Sequence, residues 1–203
     1  MDISLVLFDL GGVLYNIEHA RTKHQLVNIS SSANCNLKFT LEQADPIFAQ
    51  YDAGNIDTKE FLQALRTDYA LHGTDEDILQ AWNAMLLGLY PDSLALVTLL
   101  RNHVNIALLS NINECHHRYI EDACSELFAQ FHHLFLSYTL GKKKPDPDIF
   151  EYVIQQTGYP AHSILFLDDT PKNCEIAKTL GIHTRLIDPH SRVWVKEITS
   201  QFM

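Results

Sequence analysis

The strongest constraint on the fold is an alternation of short apolar runs with longer stretches of helical periodicity. Each apolar run is too short for a helix and is nearly all apolar, as expected for a strand that helices cover on both faces. The runs are Ser4–Phe8, Ile106–Leu109, Leu134–Leu136, Ile164–Leu167 and His183–Ile187. Strands and helices that alternate in this way predict an α/β fold with a doubly wound parallel sheet.

Three helical patterns separate the later strands, at Asn113–Gln130, Pro147–Thr157 and Pro171–Leu180. The second and third begin with proline, which the first helical turn tolerates because its N–H groups have no partner there. Gly181 is a plausible end for the last helix.

Residues 17–89 interrupt the alternation. They contain no strand candidate but several helical patterns, among them Leu41–Tyr51, Thr58–Tyr69 and Asp75–Leu87. Since about 70 residues of helix far exceed an ordinary crossover between strands, we interpret the segment as an inserted helical cap. Tyr90-Pro91 marks the return to the sheet. The predicted domains are a core of residues 1–16 and 90–203 and a cap of residues 17–89.

Composition argues against several classes of partner. The chain has 15 Lys plus Arg and 25 Asp plus Glu, a net charge of -10 that repels nucleic acids and anionic lipid. No stretch approaches the ~20 apolar residues of a membrane span, and the first residues are typical of a core strand rather than a signal peptide. Four cysteines without CxxC spacing favour the cytoplasm. We expect a small-molecule partner, no nucleic acid and no membrane, and a monomer or weak homodimer.

Polar residues follow four of the predicted strands. In parallel α/β sheets the carboxyl ends of the strands meet at one edge, where ligands bind. The residues at this edge are Asp9, then Ser110 and Asn111, then Gly141 and Lys144, and finally Asp168 and Asp169. Each has a plainer interpretation, since Asp and Ser often cap helices and lysine runs are often solvated. Four such groups in this order favour a single site.

The chemistry of this set points to phosphate. Asp9, Asp168 and Asp169 would repel one another without a cation, and oxygen ligands suit Mg²⁺. An aspartate in that setting can attack phosphorus and form an aspartyl-phosphate that water hydrolyses. Lys144 and the Ser110 hydroxyl would stabilise the phosphoryl oxygens, while two glycines, Gly11 and Gly12, allow the backbone to approach closely.

At these residues the chain resembles the haloacid dehalogenase-like superfamily of phosphohydrolases. The motifs are FDLGGVL around Asp9, LLSN, GKKKPDPDIF and FLDD, in that order along nearly the whole chain. The resemblance implies a Rossmann-like core with a small helical cap inserted after the first motif. It makes Asp9 the nucleophile and a magnesium ligand, with Asp169 and the backbone oxygen of Gly11 as further ligands.

The remaining roles also follow from this resemblance. Asp168 becomes another magnesium ligand or a partner of the ligands, and Ser110 and Lys144 bind phosphate. Gly12 and Asn111 are predicted to contact the substrate beside them.

One position departs from the phosphatase pattern, which usually has a second aspartate, the general acid/base, two residues after the nucleophile. Gly11 stands there, and general acid–base help is worth about 10²–10⁴-fold. His19 or His24 could supply the proton, although surface or linker histidines are the plainer interpretation. The DLG pattern resembles a subset that includes an α-D-glucose-1-phosphate phosphatase, so glycine is compatible with activity. Sugar-1-phosphates leave easily, which fits a missing acid.

The cap segment Tyr51–Ile56 looks like the loop that reaches towards the site in this superfamily. Asp52, Gly54 and Asn55 could contact a sugar hydroxyl there, while a plain turn between helices is the simpler interpretation.

The leading hypothesis is a magnesium-dependent phosphatase acting on a small phosphorylated metabolite, with a sugar phosphate as one candidate. A 2-haloacid dehalogenase is an alternative, against which the pair Asp168-Asp169 counts, because that branch needs no metal. A non-catalytic protein that binds a phosphorylated ligand or a protein partner is another, and it rests on Gly11.

Overall fold

A five-stranded parallel sheet forms the centre of the molecule. The computed structural model describes residues 2–32, 35–40 and 44–203. Within them the strands are β1 (Leu5–Phe8), β2 (Tyr15–Ile17), β3 (Leu86–Leu89), β4 (Asn105–Ser110), β5 (His133–Leu136), β6 (Ile164–Asp168) and β7 (His183–Leu186). The order in the sheet is β5-β4-β1-β6-β7, and all neighbours are parallel. The predicted α/β fold is confirmed.

Helices account for most of the remaining described residues. In chain order they are α1 (His19–Asn28), α2 (Pro46–Asp52), α3 (Thr58–Tyr69), α4 (Asp75–Asn83), α5 (Ser93–Arg101), α6 (Glu114–Phe128), α7 (Ser137–Leu140), α8 (Pro147–Thr157), α9 (Pro171–Thr179) and α10 (Val193–Phe202). None of those in the described ranges is long and apolar enough to cross a lipid bilayer.

Alternate residues of β1 enter two different hydrophobic cores. Val6 and Phe8 pack with residues of α5, α6 and α10 on one face of the sheet. Leu5 and Leu7 pack with residues of α8 and α9 on the other. Both faces of the central strand are therefore covered, and this explains why its sequence is apolar throughout.

Helices α1 to α4 form the cap and have their own core. Aromatic side chains form the centre of this core. The ring centre of Trp82 lies 5.3 Å from that of Phe48 and 5.0 Å from that of Phe61. The helix predicted at Leu41–Tyr51 is observed as α2, which starts at Pro46; residues 41–43 lie outside the described residues. The predicted domain limits themselves stay a prediction.

Two short strands at the base of the cap correct the expectation that residues 17–89 hold no strand. β2 and β3 pair antiparallel where the chain leaves and re-enters the sheet region. As a result, α4 ends at Asn83 rather than continuing to Leu87 as predicted. Strands of three and four residues that form a separate two-stranded sheet carry no distinct apolar pattern, so periodicity does not indicate them.

Candidate active site

Asp9 lies at the point where the strand order of the sheet reverses. It directly follows β1, whose neighbours on the two sides are β4 and β6. The backbone N–H of Asp9 donates to the carbonyl of Leu167 at 2.9 Å, which keeps Asp9 level with the end of β6. Ligands bind at this position in doubly wound sheets, and the side chain of Asp9 is 11% exposed.

Asp168 and Asp169 extend from the end of β6 beside Asp9. One oxygen of the fully buried Asp168 accepts hydrogen bonds from the Thr170 backbone N–H at 2.7 Å and from Asn173 Nδ2 at 3.0 Å. Carboxylate oxygens of Asp9, Asp168 and Asp169 all lie within 4.8 Å of one another. The sequence prediction that these three converge agrees with this geometry. The sequence prediction did not include Asn173. The position of Asn173, one turn into the helix that follows the Asp168-Asp169 pair, could have indicated its role.

Lys144 bridges two of these carboxylates. Its Nζ lies 2.7 Å from Asp9 Oδ1 and 2.7 Å from Asp168 Oδ2, and its side chain is buried. The Asn111 side chain accepts from the backbone N–H of Lys144 and donates to its carbonyl, both at 2.8 Å. Asn111 lines the cavity as predicted for a substrate contact, but these bonds make it a group that positions Lys144.

The two glycines after Asp9 differ in what surrounds them. Gly12 has a φ of +71°, and a Cβ there would lie 2.0 Å from Asp169 Oδ2. Gly11 lines the cavity, and a Cβ on it would lie 2.9 Å from Ile17 Cδ1. Ser110 is the buried last residue of β4. Gly12 therefore leaves the space that Asp169 occupies, while Ile17 fills the space beside Gly11.

The charges of the cluster are unbalanced. Burial raises the pKa of Asp9 well above its usual range; Lys144 lowers it, and Asp168 and Asp169 raise it further. Burial also raises the pKa of Asp169, with Asp168 acting in the same direction. Burial alone would lower the pKa of Lys144, but Asp168 and Asp9 together raise it to about 12. One ammonium group is not enough for three carboxylates, and a divalent cation would balance the remainder.

A cavity of about 320 Å³ separates this cluster from the cap. The sheet side contributes Asp9, Lys144 and Asp169, and the cap side contributes apolar and polar groups. The cap residues are Ile17, His19, Phe39, Thr40, Ala44, Phe48, Ala49, Asp52, Trp82 and Met85. A larger groove of about 840 Å³, lined mainly by residues of α1, α4 and the segments that follow them, includes no such carboxylate cluster among the described residues. The cavity between the carboxylate cluster and the cap is therefore the candidate site.

The residues predicted in the cap segment separate in the structure. Asp52 lines the cavity. Gly54 has a φ of +69° and faces the carbonyl of Tyr138, where a Cβ would approach to 2.2 Å, and it is outside the cavity lining. Asn55 is exposed and donates to Gln50 Oε1 at 2.9 Å. This geometry gives Gly54 and Asn55 no support as substrate contacts, whereas Asp52 is placed to meet one.

A hydrogen-bond network between cap and core was not predicted. Buried Asn113, at the start of α6, donates to Asp52 Oδ1 at 2.9 Å and accepts from the Trp82 indole at 3.4 Å. His116 stacks on Trp82 at 4.6 Å between ring centres. Its Nε2 lies 3.2 Å from the Trp82 carbonyl and its Nδ1 lies 3.2 Å from Asn113 Nδ2, so both ring nitrogens have protein partners.

The two histidines considered as proton donors lie in different places. His19 lines the cavity and its ring lies 5.3 Å from that of Phe39. His24 interacts with Asn28 at 3.2 Å and is not among the cavity-lining residues. Only His19 of the two is therefore placed near a bound substrate.

Three carboxylates and a lysine at the switch point of a parallel sheet, beneath an inserted helical cap, define a hydrolase of the haloacid dehalogenase type. The family model described as haloacid dehalogenase-like hydrolase matches residues 3–181, and the chain belongs to this family.

The similarity to individual relatives covers almost the whole length of this chain. It is 28% identical to the D-ribitol-5-phosphate phosphatase of Bacteroides thetaiotaomicron, over 97% of both chains. A solved haloacid dehalogenase family enzyme from Bacteroides thetaiotaomicron is an aspartate-to-alanine variant in complex with magnesium and inorganic phosphate. It has a TM-score of 0.88 and 31% identity, covering 94% of this chain and 96% of that one. A haloacid dehalogenase-like hydrolase from Porphyromonas gingivalis has a TM-score of 0.84 and 27% identity over 99% and 98%.

Proposed function

We propose that this hydrolase is a magnesium-dependent phosphatase for a small phosphorylated metabolite, within the class of sugar and sugar-alcohol phosphates. The observation that carries the proposal is the approach of three carboxylates to within 4.8 Å of one another, where two of them, Asp9 and Asp169, line a cavity together with the buried Lys144. Carboxylates suit a hard divalent cation and a lysine suits the phosphate.

The residues present fit magnesium. The cluster has more carboxylates than its one lysine can neutralise, and Gly12 leaves room for Asp169. Asp9, Asp169 and the backbone oxygen of Gly11 would hold the ion, with Asp168 as a further ligand or as the anchor of Lys144. When bound, the ion would supply positive charge to the phosphoryl oxygens during transfer.

Each side chain at the site has its own role in the reaction. The Asp9 carboxylate attacks phosphorus, the ester P–O bond breaks, and an aspartyl-phosphate results; water then attacks phosphorus and releases phosphate. Lys144, held 2.7 Å from Asp9, is placed to neutralise the phosphoryl oxygens. The Ser110 hydroxyl and nearby backbone N–H groups would donate further hydrogen bonds, with Gly12 and Asn111 beside them.

The size and lining of the cavity support a small substrate. A volume of about 320 Å³ is at the lower end of ligand sites. Apolar Phe48, Trp82 and Met85 on the cap side could contact C–H groups, and Asp52 could meet a hydroxyl. The D-ribitol-5-phosphate phosphatase of Bacteroides thetaiotaomicron supports this class, and the solved family enzyme from the same organism, in complex with magnesium and phosphate, supports the metal.

We propose that the protein is located in the cytoplasm and is a monomer or a weak homodimer. The four cysteines are free, which suits a reducing compartment. A net charge of -10 disfavours nucleic-acid and membrane-surface partners.

Hydrolysis of p-nitrophenyl phosphate with and without magnesium tests the proposal. Its leaving group needs little help from an acid, so Gly11 should not prevent turnover. We expect activity with magnesium, none with EDTA, and loss of activity in Asp9→Asn while the circular dichroism spectrum is kept. The exposed cap carboxylate Asp68 provides the control, and Asp68→Asn should match the wild type.

Other outcomes would point to the alternatives. Binding of magnesium without turnover of any phosphoester would favour a non-catalytic phospho-ligand or partner-binding protein. Release of halide from 2-haloacids without magnesium would favour a dehalogenase. Either result would contradict the phosphatase proposal.

A further inference from the structure

We propose that Asp52, which the cap contributes, donates the proton to the leaving group in place of the carboxylate that is missing at position 11. The inference rests on the phosphatase function proposed above and adds a catalytic residue to it.

The geometry of phosphoryl transfer determines the direction of the leaving oxygen. In phosphoryl transfer the attacking and leaving oxygens lie roughly in line on opposite sides of phosphorus. Asp9 lies on the sheet side of the cavity, so the leaving oxygen points away from it, towards the cap. Asp52 lines the same cavity from the cap side, at the end of α2.

At position 11 a neighbouring side chain fills the space that a side chain would need. A Cβ there would lie 2.9 Å from Ile17 Cδ1, so the space beside Gly11 is occupied by an aliphatic side chain. A proton donor must therefore come from elsewhere in the cavity lining.

Most other titratable groups of the cavity lining have protein partners or lie on the sheet side. Lys144 is held by Asp9 and Asp168. Both ring nitrogens of His116 have protein partners, and burial lowers the pKa of His116 to about 4, so it is neutral. Asp169 belongs to the carboxylate cluster. Lys143 lines the cavity from the sheet side, directly before Lys144. Asp52 and His19 remain as groups on the cap side.

The environment of Asp52 suits proton transfer. Asn113 Nδ2 donates to Oδ1 at 2.9 Å and fixes the carboxyl group. The backbone carbonyl of Asp52 accepts from Ser137 Oγ at 2.5 Å, which anchors this end of α2 to the core. Within the described residues, Oδ2 has no hydrogen-bond partner and is left for a ligand. Burial raises the pKa of Asp52 to about 6, although Asn113 and Lys143 lower it, so it can exchange a proton near neutrality.

The proton balance closes over one turnover. In the first half, the ester P–O bond breaks, its electron pair goes to the leaving oxygen, and Asp52 Oδ2–H protonates that oxygen. In the second half, the Asp52 carboxylate takes a proton from the water that attacks phosphorus. The bond between phosphorus and Asp9 then breaks, phosphate leaves, and Asp52 is protonated again.

Two substrates of almost the same shape test the proposal. Phenyl phosphate and p-nitrophenyl phosphate carry no hydroxyl groups and differ chiefly in how much the leaving oxygen needs a proton. We expect Asp52→Asn, with magnesium present, to reduce kcat/KM by about 100-fold for phenyl phosphate and by less than about threefold for p-nitrophenyl phosphate. The ratio kcat/KM covers the first half-reaction, where the acid acts. The Asp68→Asn variant should change neither value.

The outcomes separate the possibilities. Asparagine has the shape of aspartate and can still accept from Asn113, and an unchanged thermal unfolding curve would verify that the variant is folded. Equal losses on both substrates, or no loss on either, would overturn the proposal. A selective loss in His19→Asn with none in Asp52→Asn would assign the acid to His19 instead. Wild-type protein that hydrolyses neither substrate would contradict the phosphatase function itself.

Discussion

The two walls of the cavity are built on different principles. On the sheet wall, charged groups are fixed by backbone position, since Asp9 and Asp168 come from adjacent parallel strands and Lys144 joins them at 2.7 Å. On the cap wall, side chains dominate, with Trp82 and Phe48 stacked 5.3 Å apart. The sheet wall holds a set of charges that a metal can complete, whereas the cap wall determines a shape.

Because the two walls differ, we expect substitutions on the sheet wall to lower the reaction rate and most substitutions on the cap wall to affect stability or substrate choice. Substitutions on the sheet wall remove charge that the reaction needs. Apart from Asp52, whose proposed role is to protonate the leaving group, substitutions on the cap wall alter packing, hydrogen bonding and the fit of the leaving group. Three experiments test this division.

The largest effect is expected on the sheet wall, from Lys144→Met. It removes the cation that contacts both Asp9 and Asp168, and we expect kcat/KM with p-nitrophenyl phosphate to fall by about 10²–10³-fold. The metal-free variant should also unfold more easily, by about 3–5 kcal/mol, because two buried carboxylates lose their partner. Steady-state kinetics and urea denaturation measure the two effects.

Lys142→Met is the matched control, since Lys142 lies in the same loop and pairs with Asp148 instead. It should be close to wild type in both measurements. Near-normal kcat/KM in Lys144→Met would contradict the phosphate role of the buried lysine.

A smaller effect is expected from adding one methyl group beside Asp169. In Gly12→Ala the new Cβ would meet Asp169 Oδ2 at 2.0 Å and displace that carboxylate. We expect magnesium affinity, measured by isothermal titration calorimetry, to weaken by about 10–100-fold.

Gly158→Ala is the control that distinguishes the effect of the contact with Asp169 from the effect of backbone strain. Gly158 has a φ of +72°, almost that of Gly12, but nothing lies within 4 Å of the place of its Cβ. Both variants should lose some stability, and only Gly12→Ala should lose magnesium affinity. Equal affinities in the two variants would argue against Asp169 as a ligand.

The smallest effect is expected where the cap meets the core, at His116. Its pKa is lowered from 6.5 to about 4, chiefly by burial, so the unfolded chain binds a proton more readily than the folded one. The stability that the neutral ring contributes is complete above pH 6.5 and is lost as the pH falls towards 4, by about 2 kcal/mol at pH 4.5. In His116→Gln, urea denaturation should show a correspondingly flatter dependence between pH 7 and 4.5. If the unfolding free energy of His116→Gln depended on pH as steeply as that of the wild type, the lowered pKa of His116 would be contradicted.

Much of the sheet wall could be predicted because it depends on local patterns. Asp9 and the Asp168-Asp169 pair each follow an apolar strand, and a parallel sheet brings the ends of its strands together. The same reasoning found Lys144 but not the two hydrogen bonds by which Asn111 holds it. Those bonds join residues 33 positions apart, and no periodicity encodes them.

The interface of cap and core could not be predicted for the same reason. Asn113 joins Asp52 and Trp82, which are 61 and 31 positions away. Helix α5 was also missed, because apolar residues occur around most of its circumference and conceal the helical period. Contacts between distant segments follow from tertiary packing, whereas the strand ends follow from local sequence.

The two hydrogen bonds from Asn111 and the two carboxylates around Nζ hold Lys144 at both ends. A free lysine side chain has about 2 kcal/mol of rotamer entropy. Here that freedom is given up during folding, before any ligand arrives. A phosphate group that enters the cavity meets an ammonium that is already oriented, and its affinity is not reduced by the need to immobilise a long, flexible chain.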